Sequence, residues 1–443
     1  MKFGKTTAAL AALAIFGAPL FAPCSMPLRI AEAASVSRDV DQTPYNENVE
    51  VDPYGQAYFR PLPAILRERR ETLETPRWKM PWSGFGFFAP PGELGNIFAV
   101  LGEEAEEEEE RALAGKNMAV YNSRYVQRMD TCVTSILESR AAYQGGHRGR
   151  FSVTGRNFDS RSGRELALDD VFTNPVTVGG LISEHLRVDY PNVAFRDDLL
   201  YRLQEKAETG KLSWTLFARG AIFYFEPREI VHGADRYDTG QMIYTATILY
   251  EEVPVLFTDE YRQGSPAWSM ELEPGTPVRV PLGGGTKAIL QVGGRKIRLG
   301  DHEFIEEGAL RYQRFTFVSL MDGRCYLYAD VAPHEKSEPH ELRVYRLSAE
   351  GIERLPGSRP LTMLASPPDD DEDRLILPMI SPGNFCLCEA VIPGEQPTDL
   401  YRWLRVQDLA EIDVYQLFEE EKAHARYHVG PDGWPVAGPI LNY

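Results

Sequence analysis

Histidines and carboxylates are the side chains of this 443-residue chain that could do chemistry. His424 and His428, in His424-Ala-Arg-Tyr-His428, stand four apart. On a helix that spacing puts two imidazoles on one face, where they can bind zinc. Gly430, Asp432 and Gly433 follow at once and favour a hairpin over 427–436, which would break the helical register, so the pair reads as ordinary surface histidines and no metal is assigned. His334-Glu335-Lys-Ser-Glu338-Pro-His340-Glu341 gathers imidazoles and carboxylates in one loop, but Pro339 and the mixed spacing match no metal geometry. His147 follows Gly145 and Gly146, so a tight turn presents it, and the glycines would let a ligand approach the backbone. Its alternative role is to hydrogen-bond its own turn. Two carboxylate pairs remain, Asp169/Asp170 and Glu226/Glu229. Paired carboxylates can act as general acid and base, although ahead of helices such residues more often cap. No nucleophile elbow, His-Glu-x-x-His or phosphate loop is present. The residues therefore favour binding over catalysis, with His147, Gly145, Gly146, Glu226 and Glu229 as ligand-binding candidates, no catalytic residue and no cofactor.

The elements that must hold these residues follow from apolar periodicity. Val120 to Val126 and Cys132 to Leu137 alternate as half-buried strands around a Met129-Asp-Thr131 turn. A third strand places Phe151, Val153 and Gly155 on one face and ends in a polar hairpin at Ser160 to Gly163. The period then changes. Val178, Leu181, Ile182, His185 and Leu186 share a helical face over 177–190, and a second helix over 195–209 turns Leu199, Leu200 and Leu203 inward. Strands return at Trp214 to Ala218, Ala221 to Phe225 and Met242 to Tyr250. Strands, two helices and strands predict an α+β layer, an antiparallel sheet covered by two helices. Beyond Thr258 the pattern is nearly all β, with hairpin dipeptides at Gly293-Gly294 and Asp322-Gly323 and strands at Arg311 to Leu320, Arg324 to Val331 and Glu341 to Leu347.

Three of these motifs, in this order and spacing, carry a resemblance. They are the Gly145-Gly146-His147 turn, the run Arg156-Asn-Phe-Asp159 with Ser162-Gly-Arg-Glu-Leu-Ala-Leu-Asp-Asp-Val-Phe172, and the strand Phe223-Tyr-Phe-Glu226-Pro-Arg-Glu229-Ile. The stretch from Leu113 to Leu256 resembles an extracytoplasmic domain of unknown function found in RsiV-type anti-sigma factors, which bind lysozyme, and in the non-catalytic region of PdaC-type peptidoglycan deacetylases. The family usually has a small residue between the second glycine and the histidine, whereas here Gly146 abuts His147. The resemblance implies an envelope protein whose ligand is a lysozyme-like protein or the cell-wall glycan. The deacetylase type also pairs histidines at the spacing of His424 and His428, but its paired-aspartate motif has no counterpart here.

Composition sets the address and the partners. Lys2 and Lys5 precede an apolar run over 8–22, and Ala31-Glu32-Ala33 offers small residues for signal peptidase, so 1–33 reads as a cleaved secretory signal. No later stretch reaches the roughly 18 apolar residues of a membrane span. The protein is expected to work outside the cytoplasm, in the periplasm or secreted. The chain carries 47 basic and 65 acidic residues, and removal of 1–33 leaves 44 against 64, a formal charge of −20. Nucleic acid and anionic lipid would be repelled and a cationic protein attracted. Cys132, Cys325, Cys386 and Cys388 are too few for a stapled scaffold and read as buried thiols or one long-range bridge.

Residues 34–112 are rich in proline and contain seven glutamates in the eight positions from Glu103 to Glu110, which predicts an extension whose glutamate run is a solvated helix or a spacer. Its aromatic patch, Trp78 to Phe88, could dock on a partner or pack on its own domain. The organisation expected is a signal over 1–33, the extension over 34–112, the α+β module over 113–257, an antiparallel β domain over 258–360, and a C-terminal segment over 361–443 with an acidic loop and one helix over 406–425. The function expected is an exported, non-catalytic binding protein. The rivals are a metal-dependent envelope hydrolase or deacetylase and a structural envelope protein.

Overall fold

Two short strands, β1 (Val49–Val51) and β2 (Ala57–Phe59), pair antiparallel and lead into a ten-residue hairpin, β3 (Ile65–Glu74) and β4 (Lys79–Phe88). The computed structural model describes residues 48–62, 65–74, 79–88, 93–114, 119–143, 149–234, 243–307, 310–333, 340–363, 374–379, 381–383, 385–389 and 426–437. All of these belong to one unit, Glu47–Tyr443. The expected helix over 406–425 and the acidic loop Asp369 to Asp373 lie outside the described residues.

The hairpin departs from the extension that its prolines predict. Pro81 sits inside β4 opposite Thr72, and the missing donor is outweighed because both faces of the hairpin are packed. Leu66 and Phe85 are buried on one face, Leu73, Met80 and Trp82 on the other. The aromatic patch thus packs on its own fold at Trp82 and Phe85. Helix α1 (Glu93–Ala114) follows, anchored by Ile97 and Leu101, one turn apart and fully buried, while Glu103, Glu107 and Glu110 face solvent. The glutamate run is thus helical, with these three side chains in solvent and Glu104 partly buried.

Strands β5 (Ala119–Met129), β6 (Val133–Tyr143) and β7 (Gly149–Asp159) form an antiparallel meander joined to β4 by a parallel pair at Trp82 and Val120. Arg374–Ile376 adds to the free side of β3 and completes six strands. The chain then makes a one-turn helix, α2 (Leu168–Val171), and two longer ones, α3 (Pro175–Asp189) and α4 (Leu199–Glu208). Asn174 caps α3 by accepting the Thr177 amide at 3.2 Å, and Pro175 presets its first turn. Strands β8 (Ser213–Phe217) and β9 (Gly220–Phe225), a one-turn helix α5 (Pro227–Ile230) and β10 (Tyr244–Leu249) complete this part. The strand order is β10-β9-β8. Val178, Ile182 and Leu186 of α3 and Leu199 and Leu203 of α4 share one core with Trp214, Leu216, Phe223, Phe225 and Ile248.

Past Thr258 come β11 (Trp268–Glu271), β12 (Val278–Pro281), β13 (Lys287–Gly293), β14 (Lys296–Leu299), β15 (His302–Ile305), β16 (Leu310–Ser319), β17 (Cys325–Pro333), β18 (Glu341–Ser348) and β19 (Gly351–Arg354). They form a five-stranded sheet, β11-β16-β17-β18-β19, and a four-stranded meander, β12 to β15. Gly294 and Gly323, at φ +58° and +86°, turn the two hairpins where L residues would be strained. The whole is mixed α+β with strand predominating.

A second core lies across these parts. Leu137 and Val153, Phe217, Ile222 and Tyr224, and Trp268, Phe317, Leu327 and Leu347 pack together. The boundary expected at 257/258 therefore runs through packed side chains, because β8 and β9 are apolar on both faces. Glu271, 1% exposed, is bound into the same region. Its Oε2 accepts the Val126 amide of β5 at 2.7 Å and its Oε1 accepts Nε and Nη2 of Arg314 on β16, at 3.1 and 2.5 Å.

Candidate functional site

The sequence nominates the turn between β6 and β7, and Gly145, Gly146 and His147 lie outside the described residues. The strands leading to it are defined up to the Tyr143–Gly149 pair. A Cβ on Gly149 would fall 2.7 Å from Tyr143 Cε1, so the glycine gives the phenol ring its room. Tyr143 in turn meets Tyr121 edge-on, with ring centroids 6.1 Å apart.

One member of each carboxylate pair helps start a one-turn helix. Asp170 accepts the Ala167 amide at 2.7 Å and binds Arg164 through two oxygens, at 2.7 and 3.0 Å. The Arg164 guanidinium, with help from the amide, holds its carboxyl below the usual range. Asp169 is exposed. In α5, Glu229 accepts the Glu226 amide at 2.8 Å and the Lys206 ammonium, while Glu226 pairs with Arg228 at 2.8 Å. Both stretches obey one rule: an acid three residues into the turn satisfies an otherwise orphaned amide at its start. Glu229 also lines a cleft of about 310 Å³ with Arg202, Leu203, Lys206, Phe225, Arg228 and Ile230.

The histidine candidates are not brought together. His428 is on a strand, Arg426–Val429, paired with Val436 and 2% exposed, so the helical face that would make His424 and His428 neighbours does not form at His428. His424 lies outside the described residues. The surface-histidine reading fails for His428, because its strand is hydrogen-bonded on both sides and its side chain faces inward. Of the second histidine group only His340 and Glu341 are described; His340 Nδ1 contacts Asp330 Oδ1 at 2.9 Å, and Asp330 Oδ2 accepts Thr362 Oγ1 and the Met363 amide. Among the described residues no three His, Cys, Asp or Glu side chains form a metal-sized cluster. Cys132 and Cys325 are free and buried, and burial pushes each thiol up to about 11.

A polar groove went unrecognised in the sequence. Strand register puts Asn122, Arg124 and Val126 of β5, Ile136, Glu138 and Arg140 of β6, and Ser152, Thr154 and Arg156 of β7 on the face of the sheet that α1 crosses. Ile97 and Leu101 cover the apolar end, at Val126, Ile136 and Phe158. Beyond them Glu104, Glu107 and Arg111 of α1 overhang the polar end and leave a groove of about 370 Å³. Gly84 and Phe85 of β4 complete its lining. Arg124, nearly buried, is fixed by Glu138 at 2.7 Å and by the carbonyls of Phe85 and Leu101 at 3.3 Å each. Arg156 holds the helix down by gripping Glu104 and, at 2.6 and 3.0 Å, Glu165. The sequence signal was Asn122/Arg124, Glu138/Arg140 and Ser152/Thr154, polar residues at period two on strands whose alternate positions include the buried Leu137, Ser139 and Val153.

No family model and no curated protein matches the chain. Among solved structures it is similar to a member of the DUF3298 family from Bacteroides fragilis, at 15% identity and a TM-score of 0.33 over 45% of this chain and 94% of that one. It is similar also to a DUF3298 family protein from Pseudomonas aeruginosa, at 15% identity and a TM-score of 0.34 over 46% of this chain and 98% of the other.

Proposed function

We propose that the chain is an exported, non-catalytic binding protein of the bacterial cell envelope, whose ligand is a cationic lysozyme-like protein or the peptidoglycan glycan. The observation that carries the reading is the use made of the carboxylates: Asp170 and Glu229 each close a helix start and an ion pair. Each pair thus has one member committed to the fold, whereas an acid–base pair needs both carboxyls to exchange protons with substrate or water. In this reading the β5–β7 meander, which carries the Gly145-Gly146-His147 segment between β6 and β7, forms the recognition module together with the two helices and the three-stranded sheet, and 1–33 is the leader that exports it. A surplus of 65 acidic over 47 basic residues would steer a cationic protein toward it.

Calorimetric titration with a cationic lysozyme, at low salt and again at about 0.15 M, tests the proposal. Saturable binding at both salts supports specific recognition. Binding confined to low salt would be charge attraction alone and would remove lysozyme as the ligand. The address has its own check: secretion from a bacterial host with a new N terminus at Ala34.

A further inference from the structure

We infer that the groove between α1 and the sheet is a binding site for a small, uncharged saccharide. This deepens the binding reading above and rests on it. Three carboxylates, Glu104, Glu107 and Glu138, and three guanidinium groups, Arg111, Arg124 and Arg140, line the groove together with Ser152 and Thr154, and within it Glu138 pairs with Arg124 at 2.7 Å and Glu107 with Arg111 at 3.7 Å. Carboxylates only accept hydrogen bonds and guanidinium groups only donate them. An anion entering the groove meets three glutamates, and a cation meets three arginines. A sugar hydroxyl donates to one and accepts from the other, so a neutral polyol uses both halves of the lining without burying an unpaired charge.

The site is held in place before any ligand arrives. Arg124 is anchored through Glu138 and two carbonyls, and Arg156 ties Glu104 to Glu165 across the helix–sheet boundary, so the helix side of the groove is fixed relative to its sheet side. The volume, about 370 Å³, falls at the small end of ligand pockets and suits a short oligosaccharide, not a folded partner. Thr154, Glu107 and Arg111 are exposed, so the mouth is open to solvent.

The Trp82 indole offers a reporter. A Cβ on Gly84 would fall 2.2 Å from the ring, so the indole lies directly against a residue of the groove. The test is titration of the full chain with a neutral N-acetylglucosamine trimer, followed by tryptophan fluorescence and calorimetry, with Trp82→Phe separating this signal from the other indoles. Saturation in the millimolar range or tighter, unchanged by added salt, is expected. Thr154→Arg, at an exposed position, should fill the mouth and weaken binding about tenfold or more without lowering thermal stability. Glu107→Gln, which keeps the shape, should weaken it less. Absence of saturation at about 10 mM with both this trimer and a maltotriose would overturn the proposal. So would saturation that Thr154→Arg leaves intact, or binding of a zwitterionic dipeptide in preference to both sugars. Because lysozyme titration does not depend on this groove, a negative sugar result with positive lysozyme binding would reject the groove alone.

Discussion

Glu229 joins the amide of Glu226 to the ammonium of Lys206, and it does so half-exposed, in a four-residue helix. Glu229→Ala should lower stability by about 1 kcal/mol, the usual cost of losing a helix-start acceptor. A thermal melt reads the loss, and an unchanged lysozyme isotherm would separate this structural role from recognition. Glu273 works in the opposite sense. It is buried between β6 and the turn before β12, with Ser139 Oγ at 3.2 Å and Thr276 Oγ1 as partners, and burial pushes its carboxyl up from 4.5 to about 7 despite both hydrogen bonds. A carboxyl raised in the fold binds its proton more tightly there than in the unfolded chain. Its contribution is therefore full below about 4.5 and is lost as pH climbs through about 7. The loss is on the order of 3 kcal/mol. Thermal midpoints at pH 5 and pH 8 should differ accordingly, and Glu273→Gln should flatten the difference. A wild-type midpoint that rises from pH 5 to pH 8, with Glu273→Gln changing nothing, would show that this group is not the one titrating.

Helix α3 holds two adjacent glycines with opposite demands. At Gly179 a Cβ would lie 2.8 Å from Gln204 N and 2.9 Å from Gln204 Cα, backbone atoms of α4 that cannot step aside, whereas at Gly180 nothing lies within 4 Å. Gly179→Ala should destabilise by about 1–3 kcal/mol through forced separation of the helices. Gly180→Ala should stabilise by about 0.5–1 kcal/mol, since alanine loses less backbone entropy in a helix. Denaturant midpoints of the two variants moving the same way would contradict this crossing. The helices themselves were legible, because Val178, Ile182 and Leu186 repeat at helical period and Pro175 and Gly210 mark the ends, although the second begins at Leu199 instead of 195 and Leu200, expected inward, is 47% exposed. Strands β5 to β10 were legible for the same kind of reason. The β3–β4 hairpin was not, since Pro81 argues against a strand locally and only long-range packing of Trp82 and Phe85 outweighs it. The groove was illegible too: its lining comes from α1, β4, β5, β6 and β7, and no spacing within one segment brings Glu107 to Thr154. His428 shows the converse, a motif with the right spacing and the wrong element.

At the scale of the molecule, the question is what makes the parts on either side of Thr258 one body. Apolar contact between them is broad but directionless, and the buried pair of Glu271 and Arg314 supplies direction. Glu271 binds an amide of β5 and the guanidinium of β16; its own carbonyl accepts Gln127 Nε2 at 2.8 Å, and Arg314 Nη2 reaches the Arg124 carbonyl at 3.4 Å. Three of these contacts, at Arg124, Val126 and Gln127, fix β5 against the five-stranded sheet, and β5 also carries the groove residues Asn122 and Arg124 on its other face. Removing one partner of a buried ion pair strands the other, at about 3–5 kcal/mol. Glu271→Ala should therefore lower the denaturation midpoint strongly. It should also loosen the junction, so that tryptophan fluorescence and far-ultraviolet circular dichroism, expected to coincide during unfolding of the wild type, report separate transitions in the variant. Two transitions already present in the wild type would mean that the shared core does not couple the parts. Coincident transitions at an unchanged midpoint in Glu271→Ala would mean that apolar packing alone holds them, and that the position of β5, and with it the groove, does not depend on the buried pair.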